Sequence, residues 1–472
     1  MKFSKLFWFS SGPIVNSALG LITVPLIVHF FSQEDVARFS LFNTVLALSL
    51  SVFSLGLDQY FIRHYYDSKF RNSLILRVII PGLSLFFLFF LFVMSNEWDL
   101  SYILFSIDST SISNLAMLIV VVSLFNRFVI LTHRMSGQGK EYSIFLVLPK
   151  LFFIAFLTFF SYEGISFYDL ALYLFLSSFI VLILNVINLR KQLIDGVRTF
   201  RLSSKELKYK DMFFYGLPLV PSSLAFWALT GSDKFIIKYL VGLEELAFYS
   251  VAVSFAGVGV VLQNVFSNLW SPFVYSTISK NGDLSVVWHC NRVLLILVCV
   301  ISFISTSLSR LLGYVLPENY EPVQYIFTAC MLYPLLYTLT ESTSIGIGVK
   351  KKTNYALFCT LVTLIVNVGL NFIVVPFLGY KGAAITTAFS FFVYFLIRTS
   401  ISNKIWINQV GVYFYFQAFL LVVFSIMNCF FLEGFYIYVV LLWACLTGLV
   451  VFSNVGSLSF ILHKSYRKNN QI

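Results

Sequence analysis

Apolar residues along this chain come in long unbroken runs rather than at every second or every third and fourth position. Fourteen runs are long enough for a membrane-crossing helix, which needs about 20 mostly apolar residues. They span 9–31, 39–61, 74–95, 113–132, 143–161, 167–188, 213–240, 247–270, 290–311, 323–346, 355–376, 383–399, 411–431 and 435–457, the tenth and twelfth being the weakest. Alternation of period two, the mark of a transmembrane barrel, is absent. Runs that are apolar nearly all round read as helices in lipid or in a bundle core. The expected fold is therefore an all-α polytopic membrane protein of about 14 helices. The first run, behind Lys2 and Lys5, is longer than a signal-peptide core, holds Pro13 and Pro25 and lacks a cleavage site, so it reads as an uncleaved helix.

Composition agrees. Of 472 residues 59% are apolar and 11% charged, with 54 Phe, and mean hydropathy is +0.87. A water-soluble fold cannot cover that much apolar surface with so few charges. The net charge of +11 takes its meaning from position. With the N-terminus in the cytoplasm, the alternating inner segments collect 26 of the 32 Lys and Arg residues, while the outer loops hold only Arg38, Arg310 and Lys381. This is the positive-inside asymmetry, and it places both termini in the cytoplasm. The charge orients the chain; it is not a nucleic-acid surface, and no nucleic-acid partner is expected. Cys290, Cys299, Cys330, Cys359, Cys429 and Cys445 all fall within spans, so no disulfide framework is expected.

A weak internal repeat is legible. Glu34-Asp35-Val36-Ala37-Arg38-Phe39-Ser40 returns 210 residues later as Glu244-Glu245-Leu246-Ala247-Phe248-Tyr249-Ser250, and Tyr162-Glu163-Gly164 returns 218 residues later as Tyr380-Lys381-Gly382. Helices 1–6 then correspond to helices 7–12. Six helices per repeat keep the same sense, so the repeat axis is expected along the membrane normal with the substrate path between the halves. The resulting division is 1–189 for the first bundle, 190–212 for a basic linker, 213–400 for the second bundle and 401–472 for an added helix pair and tail.

Polar groups within the spans carry the candidate chemistry, because ionisable residues there face a cavity or a partner. Helix 7 holds Pro218 and Pro221, then Asp233, Lys234 and Lys238. The prolines remove backbone donors and should bend the helix. Pro13 and Pro25 should interrupt helix 1 correspondingly, making helices 1 and 7 the moving elements. Lys234 and Lys238 share a face, and Asp233, about 100° round from Lys234, is placed to pair with a cation on a neighbouring helix. Lys150 and Arg127 lie one or two turns inside the membrane, either lining a cavity or reaching toward the cytoplasm. Asp58, near Arg63, and Glu341, among Thr340, Ser342 and Thr343, are the remaining acids, available for ion pairs or for a coupling proton. His29 reads as interfacial. Thr360, Thr363, Asn367 and Asn371 on helix 11, and Gln263, Asn264, Ser267, Asn268 and Ser271 on helix 8, form polar stripes suited to interhelical hydrogen bonds or to a sugar lining. No nucleotide-binding, hydrolase, metalloprotease, metal-cluster or cofactor motif is present, and no long loop offers a catalytic domain. No cofactor and no metal are expected.

Two six-helix repeats with an added pair, the helix 7 block from Gly216 to Asp233-Lys234, and Gly379-Tyr380-Lys381-Gly382-Ala383-Ala384 entering helix 12 resemble the polysaccharide transporters. These are the Wzx-type O-antigen or repeat-unit flippases of the multidrug/oligosaccharidyl-lipid/polysaccharide exporter superfamily. Ala37 and Ala247 stand where such proteins often have Gly. The resemblance implies a non-enzymatic flippase in a bacterial inner membrane. It would carry an oligosaccharide on undecaprenyl diphosphate from the cytoplasmic to the periplasmic leaflet by alternating access. Its partners would be that lipid-linked oligosaccharide, membrane lipids, and a polysaccharide polymerase and chain-length regulator. Lys234, Lys150 and Arg127, with Lys238, would contact the anionic head group. The alternatives are an Na⁺- or H⁺-coupled multidrug exporter of the same superfamily and a membrane enzyme of glycan assembly. Four bases against three acids (Asp58, Asp233, Glu341) within the spans lean toward an anionic substrate.

Overall fold

The computed structural model describes residues 3–161 and 165–469. It is mainly helical, with no strand among the described residues, and the run 39–61 breaks at 54–56, where Leu55 and Gly56 have positive φ. The chain divides into two compact units, 1–231 and 232–472.

The first unit contains α1 (Phe3–Phe30), α2 (Gln33–Phe53), α3 (Leu57–His64), α4 (Arg71–Ser95), α5 (Leu100–Phe105), α6 (Thr110–Met135), α7 (Gly139–Phe160), α8 (Phe167–Thr199), α9 (Tyr209–Gly216) and the start of α10 (Val220–Leu240). Helix ends carry their own caps. Ser32 accepts the Asp35 N–H at 3.2 Å, and Ser166 and Asp169 form a reciprocal capping box on α8. α1 packs on α7, and α8 on both α6 and α4. Leu57, Phe61, Leu74, Val78, Leu124, Phe128 and Met212 fill a dry centre between α3, α4, α6 and α9. α1 runs unbroken through Pro13 and Pro25, so the expected interruption of helix 1 does not occur. In helix 7, Leu217–Leu219, which includes Pro218, tightens to a 3₁₀ turn between α9 and α10. α8 continues to Thr199, so the first part of the basic linker is helical.

The second unit contains the rest of α10, then α11 (Leu243–Ser279), α12 (Ser285–Leu308), α13 (Leu312–Val315), α14 (Val323–Thr343), α15 (Ile345–Val349), α16 (Asn354–Ile405) and α17 (Val412–Asn469). α14 packs against α11, α12, α16 and α17. It is the least hydropathic of the long helices and the most enclosed. A helix surrounded by protein can carry polar groups that one facing lipid cannot. Here Thr338 and Thr340 donate back to Pro334 O and Leu336 O, each at 2.7 Å. α11 lies against α14 so closely that a Cβ on Gly259 would stand 2.6 Å from Pro334 Cγ; small residues permit such an approach between membrane helices.

Twelve of the described helices are long and apolar enough to cross a membrane, and two of these double back. α16 has 52 residues, about 78 Å if straight, against a hydrocarbon core of about 30 Å. Its backbone leaves helical geometry at Gly379, and Thr386 Oγ1 donates to Asn371 Oδ1 at 2.7 Å. Residues 15 apart on a straight helix would be about 22 Å apart, so the chain reverses there. α17 reverses near Phe435, where Trp443 Nε1 donates to Asn428 Oδ1 at 3.0 Å and Gln417 Nε2 to Ser453 Oγ at 2.8 Å. Counting the two arms of each hairpin gives the fourteen crossings read from the sequence. The chain is a multi-pass membrane protein.

The α11–α14 contact yields an expected outcome. Gly259→Leu should overpack the junction, cost roughly 1–3 kcal/mol and lower the unfolding temperature in detergent. Gly257→Leu, whose Cβ meets nothing within 4 Å, should not. Thermal unfolding followed by size-exclusion fluorescence compares the two.

Candidate functional site

The first unit holds a charge pair between α3 and α6. Asp58, on the first turn of α3, accepts from Arg127 Nη2 of α6 at 2.7 Å. The Asp58 side chain is 7% exposed and that of Arg127 38%. Asp58 thus meets Arg127, not its helix neighbour Arg63. Both belonged among the sequence candidates, one as an acid and one as a cavity cation, and the structure joins them. Lys150 of α7 reaches α1, donating to Asn16 O at 2.9 Å. That carbonyl uses one of the ammonium's three donors.

In the second unit Asp233 sits on α10 with 1% of its surface exposed. Its Oδ1 accepts from Asn371 Nδ2 at 2.7 Å. Its Oδ2 accepts from Thr387 Oγ1 at 2.6 Å and Tyr249 Oη at 2.9 Å. Asn371 and Thr387 come from opposite arms of the α16 hairpin and Tyr249 from α11. Every one of these partners is a neutral donor, where a cation was expected. Tyr249 and Thr387 also approach each other at 3.3 Å, and Thr386 donates to Asn371. The buried Asn367 Nδ2 beside them has no partner among the described residues. The sheath satisfies an ionised carboxylate. Its oxygens can equally hold a proton or one small hard monovalent cation. No group of three His, Cys, Asp or Glu gathers among the described residues.

Lys234, the next residue, is partly buried. Lys238 is 8% exposed and lies 5.1 Å over the Tyr239 ring. Glu341 on α14 is paired with Arg398 on the second arm of α16 at 3.1 Å. Arg398 also donates to Tyr394 Oη at 2.5 Å. The helix 11 stripe is buried: Thr363, Asn367 and Asn371 are fully enclosed, with Asn371 serving Asp233. The helix 8 stripe differs, Gln263 being buried and Asn264 and Asn268 exposed. Residues 162–164, half of the second repeat match, lie outside the described residues.

Three groups escaped the sequence reading. Arg398 was counted with the inner-loop bases, yet it lies inside a helix and pairs within the protein. Arg77, counted the same way, is 4% exposed. It donates to Ser203 Oγ at 2.7 Å and Phe200 O at 2.6 Å, clamping the segment after α8. Tyr249 enters only through the repeat, with no role assigned. The available signal was position: both arginines stand at least a full turn from their helix ends.

Residues 3–277 match the family described as polysaccharide biosynthesis protein, and the chain belongs to that family. Among solved structures it is similar to the lipid II flippase MurJ in an inward closed conformation, at 16% identity over 96% of this chain and 99% of that one, TM-score 0.65. It is also similar to the inward-facing conformation of a multidrug resistance MATE family transporter of the MOP superfamily, at 16% identity over 82% and 96%, TM-score 0.57. At that identity the likeness establishes a shared fold. No curated protein matches by sequence.

Arg127→Met should strand the buried Asp58 carboxylate and destabilise the protein by roughly 1–3 kcal/mol, moderated by the exposure of Arg127. Arg127→Met with Asp58→Asn should recover most of that loss. Unfolding temperatures of the single and double variants decide it.

Proposed function

We propose that this member of the polysaccharide biosynthesis proteins is a flippase, not an enzyme. It moves an oligosaccharide repeat unit on an undecaprenyl diphosphate carrier from the cytoplasmic to the periplasmic leaflet of a bacterial inner membrane, with both termini in the cytoplasm. Family membership carries this reading, and the fold shared with a lipid flippase supports it. A sugar-diphosphate head is large, polar and anionic, and hydrocarbon excludes it. Cations in a wet path lower that barrier while the lipid tail stays in the bilayer. Lys150 keeps two ammonium donors beyond the one given to Asn16. Lys234 and Lys238 follow on one face of α10, and Arg127 is the exposed partner of its pair. These four are the proposed head-group contacts. Asp233 is the proposed coupling acid, taking up a proton or a monovalent cation as cargo and giving it up as the protein alternates its access. Asp58 and Glu341 are assigned to ion pairs. A polymerase and a chain-length regulator are the proposed downstream partners.

A second reading has one observation in its favour. Asp233 is a buried carboxylate whose hydrogen bonds come from neutral donors, which would suit an ion-coupled exporter of cationic drugs, and the MATE transporter shares the fold.

Deleting the gene separates the two. The flippase reading expects loss of surface polysaccharide on staining and unchanged drug sensitivity; intact polysaccharide with new drug sensitivity would overturn it. Lys234→Ala should cut transport of the lipid-linked sugar at least tenfold with normal membrane insertion. Asp233→Asn should leave downhill transport but remove its dependence on an imposed ion or proton gradient in proteoliposomes.

A further inference from the structure

We propose that Glu245 is a latch: it holds the α16 hairpin closed over Asp233 and so governs when a coupling cation, a proton or a small monovalent metal ion, reaches that carboxylate. The proposal rests on the coupling reading of Asp233.

The latch is built at the α16 turn. Glu245 lies in the first turn of α11, and its Oε2 accepts the backbone N–H of Tyr380 at 2.9 Å. That N–H opens the second arm of α16, where a helix start leaves its donors without carbonyl partners. Gly379, just before it, has φ 53° and ψ −134°, a conformation open to glycine. A Cβ there would lie 2.1 Å from Glu245 Oε2. The carboxylate therefore occupies the space that the missing side chain leaves.

One helical turn further along α11, on the same face, Tyr249 donates to Asp233. α11 thus grips the hairpin at two levels: Glu245 at the turn and Tyr249 at the acid. Asn371 and Thr387, one on each arm, both donate to Asp233, and each is eight residues from Gly379, about 12 Å along its helix. Closing the turn keeps both arms on the carboxylate. Lifting it separates them, removes two of the three hydrogen bonds and opens a route to Asp233 from the end of the bundle that the charge pattern assigns to the outside.

The internal repeat supplies an independent observation. At an offset of 210 residues Glu245 corresponds to Asp35, Phe248 to Arg38, Tyr249 to Phe39 and Asp233 to Thr23. In the first repeat Arg38 takes the acid locally, pairing with Asp35 at 2.9 Å, and no carboxylate stands at position 23. In the second repeat Phe248 replaces the arginine and lays its ring against Tyr380, centroids 5.4 Å apart, leaving Glu245 to grip the turn. In the second repeat the loop acid without a neighbouring arginine and the buried Asp233 occur together.

The test uses the full-length protein in proteoliposomes, reading the half-saturating concentration of the driving cation (or the pH midpoint) separately from that of the lipid-linked sugar. Glu245→Ala should shift the cation midpoint about tenfold, the worth of one hydrogen bond to a charged group, with the sugar value within twofold. Glu245→Gln keeps an acceptor oxygen and should stay within twofold on both. Phe248→Arg should draw Glu245 into a local pair like that of Asp35 and shift the cation midpoint as Glu245→Ala does, which keeps the proposal testable if the alanine variant does not fold. An unmoved cation midpoint in Glu245→Ala or Phe248→Arg, or a Gln variant as displaced as the Ala variant, overturns the latch. If Asp233→Asn retains gradient dependence, the coupling reading itself fails. If that variant loses it while the Glu245 variants behave as wild type, only the latch falls.

Discussion

Hydrocarbon offers no hydrogen bonds, so polar groups this chain carries into the membrane need partners elsewhere in the chain, and mostly find them. The interior is organised around that requirement. Asp58 meets Arg127 and Glu341 meets Arg398. Asp233 draws three donors from two elements, and Trp443 and Thr306 answer Asn428. These contacts cross between helices and join segments far apart in sequence. Asn428 ties the last hairpin to α12 through Thr306, so the added pair is part of the second unit's core. The same requirement explains α14: its polar positions are affordable because protein surrounds it.

The fold was largely legible for the same reason. Helices that must satisfy their own backbone and present apolar faces to lipid announce themselves as long runs, and the two turns inside α16 and α17 fall between runs the sequence already separated. α14 was the weaker signal because enclosure relaxes the demand for apolar residues. The site was less legible. Asp233 could be singled out by its depth, but its partners Asn371 and Thr387 lie 138 and 154 residues away, and a hydrogen bond at that separation leaves no local pattern. Arg77 and Arg398 were misplaced by a rule that sorts basic residues by loop, whereas burial depends on which helix face meets a neighbour. The prolines show the limit of local chemistry: Pro218 and Pro221 accompany a 3₁₀ turn, while α1 absorbs Pro13 and Pro25 without a break.

The two repeats illustrate how one scaffold can divide its labour. The first spends its loop acid on a neighbouring arginine, while the second substitutes an aromatic ring and uses the acid to fasten a turn. Three changed positions, Arg38 to Phe248, Phe39 to Tyr249 and Thr23 to Asp233, accompany that difference. None disturbs the helix pattern, because each lies on a face already turned toward protein. Divergence of this kind leaves hydropathy almost unaltered while changing what the interior can bind.

The neutral hydrogen-bond donors around Asp233 also bear on energetics. The two other acids at membrane depth among the described residues each face an arginine, so their charges are already balanced. If Asp233 is the carrier, a cycle is coupled to one cation, whose own contribution is bounded. A charge falling through 100 mV releases about 2.3 kcal/mol, equivalent to a concentration ratio of roughly fiftyfold. A machine with that stoichiometry can bias a lipid between leaflets but cannot drive it against a steep excess. Its net flux then depends on how quickly the next reaction on the far side consumes what arrives.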